Sequence, residues 1–140
     1  MSGKLINVSP KQDYTFNQPI STTTVFPLGA RAYQSIDCVS GILLVRAFSQ
    51  SLVTGSSLVF KLNTGIITPD DPTTLYGSTT PVATLTINAA DTNFPRLYTA
   101  AWTGSTAGWM VAVVMNCVYG TTTGSSTISG LAVDLILRDS

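Results

Sequence analysis

The sequence predicts an all-β protein: an antiparallel β-sandwich or jelly roll of about eight strands, with an extended N-terminal arm. Three observations lead there. Threonine and serine are abundant, at 21 and 15 of 140 residues, while glutamate, a good helix former, is absent. Apolar runs that alternate with a period of two recur at intervals of roughly 10–15 residues. Clusters of Gly, Pro, Ser and Thr separate them, and no window carries a convincing 3.6-residue apolar stripe.

Residues 1–20 hold Pro10, Pro19 and scattered apolar side chains, Leu5, Ile6, Val8, Tyr14 and Phe16, without a sustained period. They read as an arm, distinct from a single sandwich domain over residues 21–140. Its apolar residues are too many for a solvated tail, so the arm packs around its own domain or against a neighbour. Thr22 to Leu28 is β-branched and aromatic and ends at Pro27-Leu-Gly. Tyr33 to Val39 is a second strand candidate. Ile42 to Gln50 is a third, apolar on both faces at its start, as in a central strand covered on both sides.

Ser57 to Asn63 alternates cleanly, with Leu58, Phe60 and Leu62 on one face. Pro81 to Asn88 sets Ala83, Leu85 and Ile87 against Thr84 and Thr86. Leu97 to Trp102 is short. Trp109 to Tyr119 is expected to be the longest strand, with Trp109, Val111, Val113, Met115 and Cys117 in phase. Gly130 to Arg138 closes the chain, with Leu131, Val133, Leu135 and Leu137 inward and Asp134 and Arg138 outward. Gly104 to Gly108 and Gly120 to Thr127 read as hairpin loops. The one candidate helical turn is Pro69 to Tyr76, where Thr68 or Asp70 could cap.

Composition restricts chemistry. Histidine and glutamate are both absent, which removes the usual general base and a common acid and metal ligand. Asp70-Asp71 is the one acidic pair; it lacks the further oxygen ligands of a calcium loop and reads as a proline-flanked turn. Seven scattered aspartates suggest no carboxylate dyad. The serines have no histidine or Ser-x-x-Lys partner to activate them. Gly120 to Ser126 lacks the lysine of a phosphate loop. No catalytic, cofactor or metal residue is assigned, and the expectation is a non-enzymatic protein without cofactors.

Charge restricts partners. Seven basic and seven acidic residues give a net charge of zero, and charged residues are only 10% of the chain. No basic patch favours nucleic acid. Weak mutual repulsion favours self-association or docking. The first residues lack a secretory apolar run of about 7–15 residues. The apolar stretch from Trp109 to Val118 is about half of what a membrane helix needs. Synthesis in a cytoplasm, with no membrane partner, is expected. Cys38 and Cys117 then read as buried free thiols, with a disulfide or redox pair as the alternative.

Contacts are sought among exposed-type residues. Trp102 and Trp109 flank a loop, and Tyr33, Tyr76, Tyr98 and Tyr119 lie at strand ends. Such aromatics serve as core, as sugar-stacking platforms or as interface anchors. Arg31 and Arg96 sit beside aromatics in loops. Asp37 and Arg46 interrupt apolar strands and require partners, within the domain or across a subunit contact.

An extended arm followed by a Thr/Ser-rich, charge-poor jelly roll ending on Leu131-Ala-Val-Asp-Leu-Ile-Leu-Arg138 resembles the small structural proteins of tailed bacteriophages. The similarity is to head decoration or cement proteins, and it rests on architecture and composition along the whole chain. It implies a virion protein that forms a homo-oligomer, with a trimer favoured, and bridges subunits of the major capsid protein. The candidate contact residues are Leu5, Ile6, Val8, Tyr14, Phe16, Arg31, Arg96 and Trp102. The alternatives are a neck, tail or fibre component, or a carbohydrate-binding β-sandwich module.

Overall fold

In the computed structural model, the structure describes residues 3–18, 23–32, 38–65, 82–106, 110–118 and 124–138. Nine strands lie among them: β1 (Gly3–Gln18), β2 (Thr23–Ala32), β3 (Cys38–Ala47), β4 (Ser49–Ser51), β5 (Ser57–Gly65), β6 (Ala83–Asn88), β7 (Arg96–Thr106), β8 (Met110–Val118) and β9 (Gly124–Arg138). One sheet has the order β1-β9-β3-β7, with β4 also paired to β9; the other has the order β2-β8-β5-β6. Every pairing is antiparallel. Apart from the three-residue β4, eight strands make two four-stranded sheets whose order requires Greek-key crossovers. This is the jelly-roll arrangement that the sequence predicts.

Alternation builds the core. Leu43 and Val45 of β3, Val133 and Leu135 of β9, and Tyr98 and Trp102 of β7 face inward from the first sheet. Leu58, Phe60 and Leu62 of β5, Leu85 and Ile87 of β6, and Met115 of β8 meet them from the second. Phe60 and its two leucine neighbours are fully buried; each such side chain stabilises the fold by about 1.5–3 kcal/mol relative to exposure.

The N-terminal segment is extended, and it wraps its own domain. Residues 3–18 form β1, paired along its length with β9, and Val8 is a core residue. Its strand period is hidden because register shifts fall between Asn7 and Ser9, Ser9 and Gln12, and Gln12 and Tyr14. The first two shifts each add a residue to β1 and move the following side chains to the other face, while the third adds one to β9, so alternation along β1 never lasts long enough to read.

Other bounds differ from the sequence expectation. β1, not the 110s strand, is the longest described strand, at 16 residues against nine for β8. β7 runs 11 residues where a short strand was expected, and β9 begins at Gly124 inside the expected loop. In both cases pairing with a long neighbour overrides the turn-like Gly, Ser and Thr composition. Most of the Tyr33 to Val39 candidate, the Pro69 to Tyr76 turn, Asp37, Asp70, Asp71 and Trp109 lie outside the described residues. Cys38 and Cys117 stand on different sheets, and the placement of their side chains lies outside the description.

Candidate functional site

The inward face of the first sheet is core, and its outer face is a surface built from regular strands. Register defines that face in rows. One row runs Leu5, Ile136, Ile42 and Ala101 across β1, β9, β3 and β7. It is entirely apolar; Leu5 is 66% exposed, and Ile136 and Ile42 are half-buried. The next row is Asn7, Asp134, Leu44 and Thr99. The third brings Ala132, Arg46 and Leu97 together. β3 is therefore central, as expected, but among the described residues no second layer covers its outer face.

The middle row carries a small polar network. Asp134 accepts a hydrogen bond from Asn7 Nδ2 at 2.9 Å and pairs with Arg46 Nη2 at 3.2 Å. It points outward, as expected, yet it is buried because Asn7 and Arg46 close over it from both adjacent strands. Arg46 thus finds the partner its apolar strand demanded, and it finds it within the chain. The Arg46 side chain itself remains 61% exposed.

Below the third row lies a cleft of about 370 Å³, bordered by Lys11, Arg46, Phe48, Arg96 and Leu97. Phe48 and Leu97 are 59% and 54% exposed. Gly130 lies against Phe48 with φ +64°, and its N–H donates to Asp13 Oδ1 at 2.8 Å. A Cβ there would stand 2.7 Å from the Phe48 Cβ, so both conformation and space call for glycine.

The cleft's far wall is held by the loop between β6 and β7. Gln50 Nε2 donates to the carbonyls of Ala89 and Asp91, both at 3.0 Å. Asp91 Oδ2 accepts from the Asn88 N–H at 3.0 Å and from the Tyr98 hydroxyl at 2.7 Å. The Arg96 guanidinium lies 4.6 Å above the Tyr98 ring and donates to the Thr92 carbonyl at 3.2 Å. Burial pushes the Asp91 carboxyl upward, but the Asn88 N–H, the Tyr98 hydroxyl and the Arg96 charge outweigh it and hold it below its ordinary value. Burial, and then the bond to Asp91, raise the Tyr98 hydroxyl well above its ordinary value.

The expected contact residues disperse over the fold. Leu5 and Arg96 are on or beside the outer face. Val8 is 2% exposed and Tyr14 packs partly buried against the core, so both serve the domain itself. Ile6 and Phe16 stand on β1 opposite Leu135 and Ser126, and Arg31 stands on β2 opposite Val111, in the other sheet; their side chains lie outside the described placement. Trp102 is a correction: it is 5% exposed and packs over Gly41, where a side chain would collide with its ring. Strand alternation carries it inward, so it is neither a sugar platform nor a surface contact. Its buried Nε1 meets no acceptor among the described residues.

Lys11, Phe48 and Leu97 were not singled out from the sequence. Phe48 carries a usable signal, since it continues the outward phase of Leu44 and Arg46. Among the described residues no three of Cys and Asp come together as metal ligands, and no helix is long and apolar enough to cross a membrane.

No protein-family model matches this chain, and no curated protein does. Solved structures match in fold. A chain in the structure of infectious bursal disease virus, Gx strain, aligns with a TM-score of 0.62 at 12% identity, over 97% of this chain and 31% of its own length. The crystal structure of the infectious bursal disease virus VP2 subviral particle gives 0.61 at 13% identity, over 99% and 33%. A mutant VP2 protein of the same virus, in derived T=1 particles, gives 0.53 at 15% identity, over 99% and 32%. This chain spans about a third of the length of those chains. At such identities the likeness is one of fold.

Proposed function

We propose that this protein is a non-enzymatic structural component of a virus particle. The specific role is decoration of a bacteriophage head, cementing major capsid protein subunits as a homo-oligomer, with a trimer favoured. The observation that carries the reading is the jelly roll, similar over nearly the whole chain to VP2 in its subviral particle. The outer face of the first sheet supports it. A half-exposed row of Leu5, Ile136, Ile42 and Ala101 in a chain of zero net charge is suited to burial against another protein surface.

The test has two parts. Native mass in solution reports self-association, and co-sedimentation with purified phage heads reports docking. A trimer that pellets with heads and raises their resistance to heat is expected. A monomer that stays in the supernatant refutes the decoration role. Binding to tails or fibres in place of heads would move the protein to that part of the particle.

A further inference from the structure

We propose that the cleft between Phe48 and Leu97 receives an acidic side chain together with its apolar neighbour from a partner polypeptide. This rests on the structural reading above and names the chemistry of one contact within it.

Cations are scarce in this chain, and they converge here. Three of its seven Lys and Arg residues, Lys11, Arg46 and Arg96, border one cleft of about 370 Å³ with no acid among its lining. Three carboxylates stand near the cleft but outside its lining, and each holds donors of this chain: Asp13 accepts the Gly130 N–H, Asp134 holds Asn7 and Arg46, and Asp91 accepts the Asn88 N–H and the Tyr98 hydroxyl. The cleft surface itself therefore presents cations and no acid, and such a lining selects an anion by complementarity.

The apolar component is equally local. Leu5, Phe48 and Leu97 are the large hydrophobic side chains most exposed among the described residues, and two of the three flank this cleft. A free inorganic anion leaves both in water, whereas a peptide bearing an acid beside an aromatic or aliphatic residue covers them. Cleft size agrees, lying near the lower end of the roughly 300–1,000 Å³ typical of ligand sites, which suits one or two side chains. A nucleic acid would require a basic track along a phosphate chain, and among the described residues the cleft lining offers only these three cations.

Two of the cations are already ordered. Arg96 is fixed by the Tyr98 ring and the Thr92 carbonyl, and Arg46 by Asp134. Ordering before binding lowers the entropy cost of closing on a carboxylate, which guanidinium groups engage with two parallel hydrogen bonds.

The experiment uses the full isotope-labelled chain and two capped synthetic peptides. One is Gly-Phe-Asp-Leu-Asp-Gly; in the other, Asn replaces each Asp. Amide shift changes centred on Lys11, Phe48, Leu97 and Gly130 are expected with the acidic peptide. Binding of the Asn peptide, or binding to Arg96→Gln, should be at least about tenfold weaker. Leu97→Ser should weaken binding with the spectrum otherwise native, which separates loss of contact from loss of fold.

No shift at the cleft, shifts elsewhere, or equal binding of the Asn peptide overturns the inference. Acetate or phosphate reproducing the same shifts at the same affinity also overturns it, leaving a small-anion site only. Heads bound normally by a protein that ignores the acidic peptide would overturn this inference alone. Peptide binding without any docking to heads would overturn the virion reading alone.

Discussion

Substitutions at Val8 and Leu5, three residues apart on β1, separate its use as a strand of the domain from its proposed use as a contact surface. Val8 is 2% exposed within the core, whereas Leu5 is 66% exposed on the outer face. Val8→Ala removes two buried carbons at about 0.8 kcal/mol each and leaves a small cavity, for a loss of about 1.5–2.5 kcal/mol. With a urea dependence of about 2 kcal/mol per molar, the unfolding midpoint should fall by about 1 M. Leu5→Ser removes no core contact and should stay within about 0.5 kcal/mol of wild type. Urea titration followed by tryptophan fluorescence, to which the buried Trp102 contributes, reads both. An unchanged midpoint in Val8→Ala would refute the reasoning, because it would mean that β1 is not seated on the core in solution. Deleting residues 3–18 provides the larger version: β9 keeps β3 and β4 but loses β1 along its whole length, and the cooperative transition should disappear. A truncated protein that unfolds at the full midpoint would favour the alternative in which this arm packs against a neighbour.

Three further outcomes are expected. Gly41→Ala drives a Cβ into the Trp102 ring and the Ile136 carbonyl, so it should cost at least about 2 kcal/mol in thermal unfolding; a variant as stable as wild type would refute the packing. Asp91 has a lowered folded pKa, so its stabilising share is present above the ordinary carboxylate value and is lost as pH falls through the folded value. Asp91→Asn should therefore be less stable at neutral pH, and its disadvantage should shrink in acid; a constant difference from pH 7 to pH 2 would contradict this. Ile42→Lys places a charge in the apolar outer row, and it should reduce self-association or head binding while the urea midpoint moves by about 0.5 M or less; unchanged assembly would remove that row from the contact surface.

Regular alternation made most of the sandwich legible. Leu58, Phe60 and Leu62, and Leu131, Val133, Leu135 and Leu137, read inward from the sequence and are buried in the structure. What stayed hidden depends on pairing that no local window records. The bulges of β1 scramble its period, and Gly124 to Thr127 looks like a loop until β1 and β4 pair with it. The site was harder still. Arg96 could be named as a loop cation beside an aromatic, but its closeness to Lys11 and Arg46 comes from β7 lying beside β3 and β1 crossing β9 near Gly130. Trp102 misled because a tryptophan near a loop reads as exposed. Only the strand phase shared with Tyr98, and the missing side chain at Gly41, place it inside.

Edges and faces offer different routes to assembly, and the residues of this chain separate them. An open strand edge invites pairing with any other strand unless bulges, proline or charge blunt it. β1 closes one side of the first sheet with Pro10 and three register shifts in its middle, so continuous edge-to-edge pairing is interrupted there. The outer face of that sheet has no such interruption. Its Leu5–Ile136–Ile42–Ala101 row is straight in register, and the Asn7–Asp134–Arg46 network fixes the polar row beside it. A surface for regular, repeated contact needs side chains held in one geometry from copy to copy. Here the strand ladder supplies that order for the apolar row, and hydrogen bonds supply it for Arg46 and Arg96. The proposed docking through this face, with the cationic cleft fixing orientation at one end, rests on where the chain keeps its few charges and leaves its large apolar groups exposed.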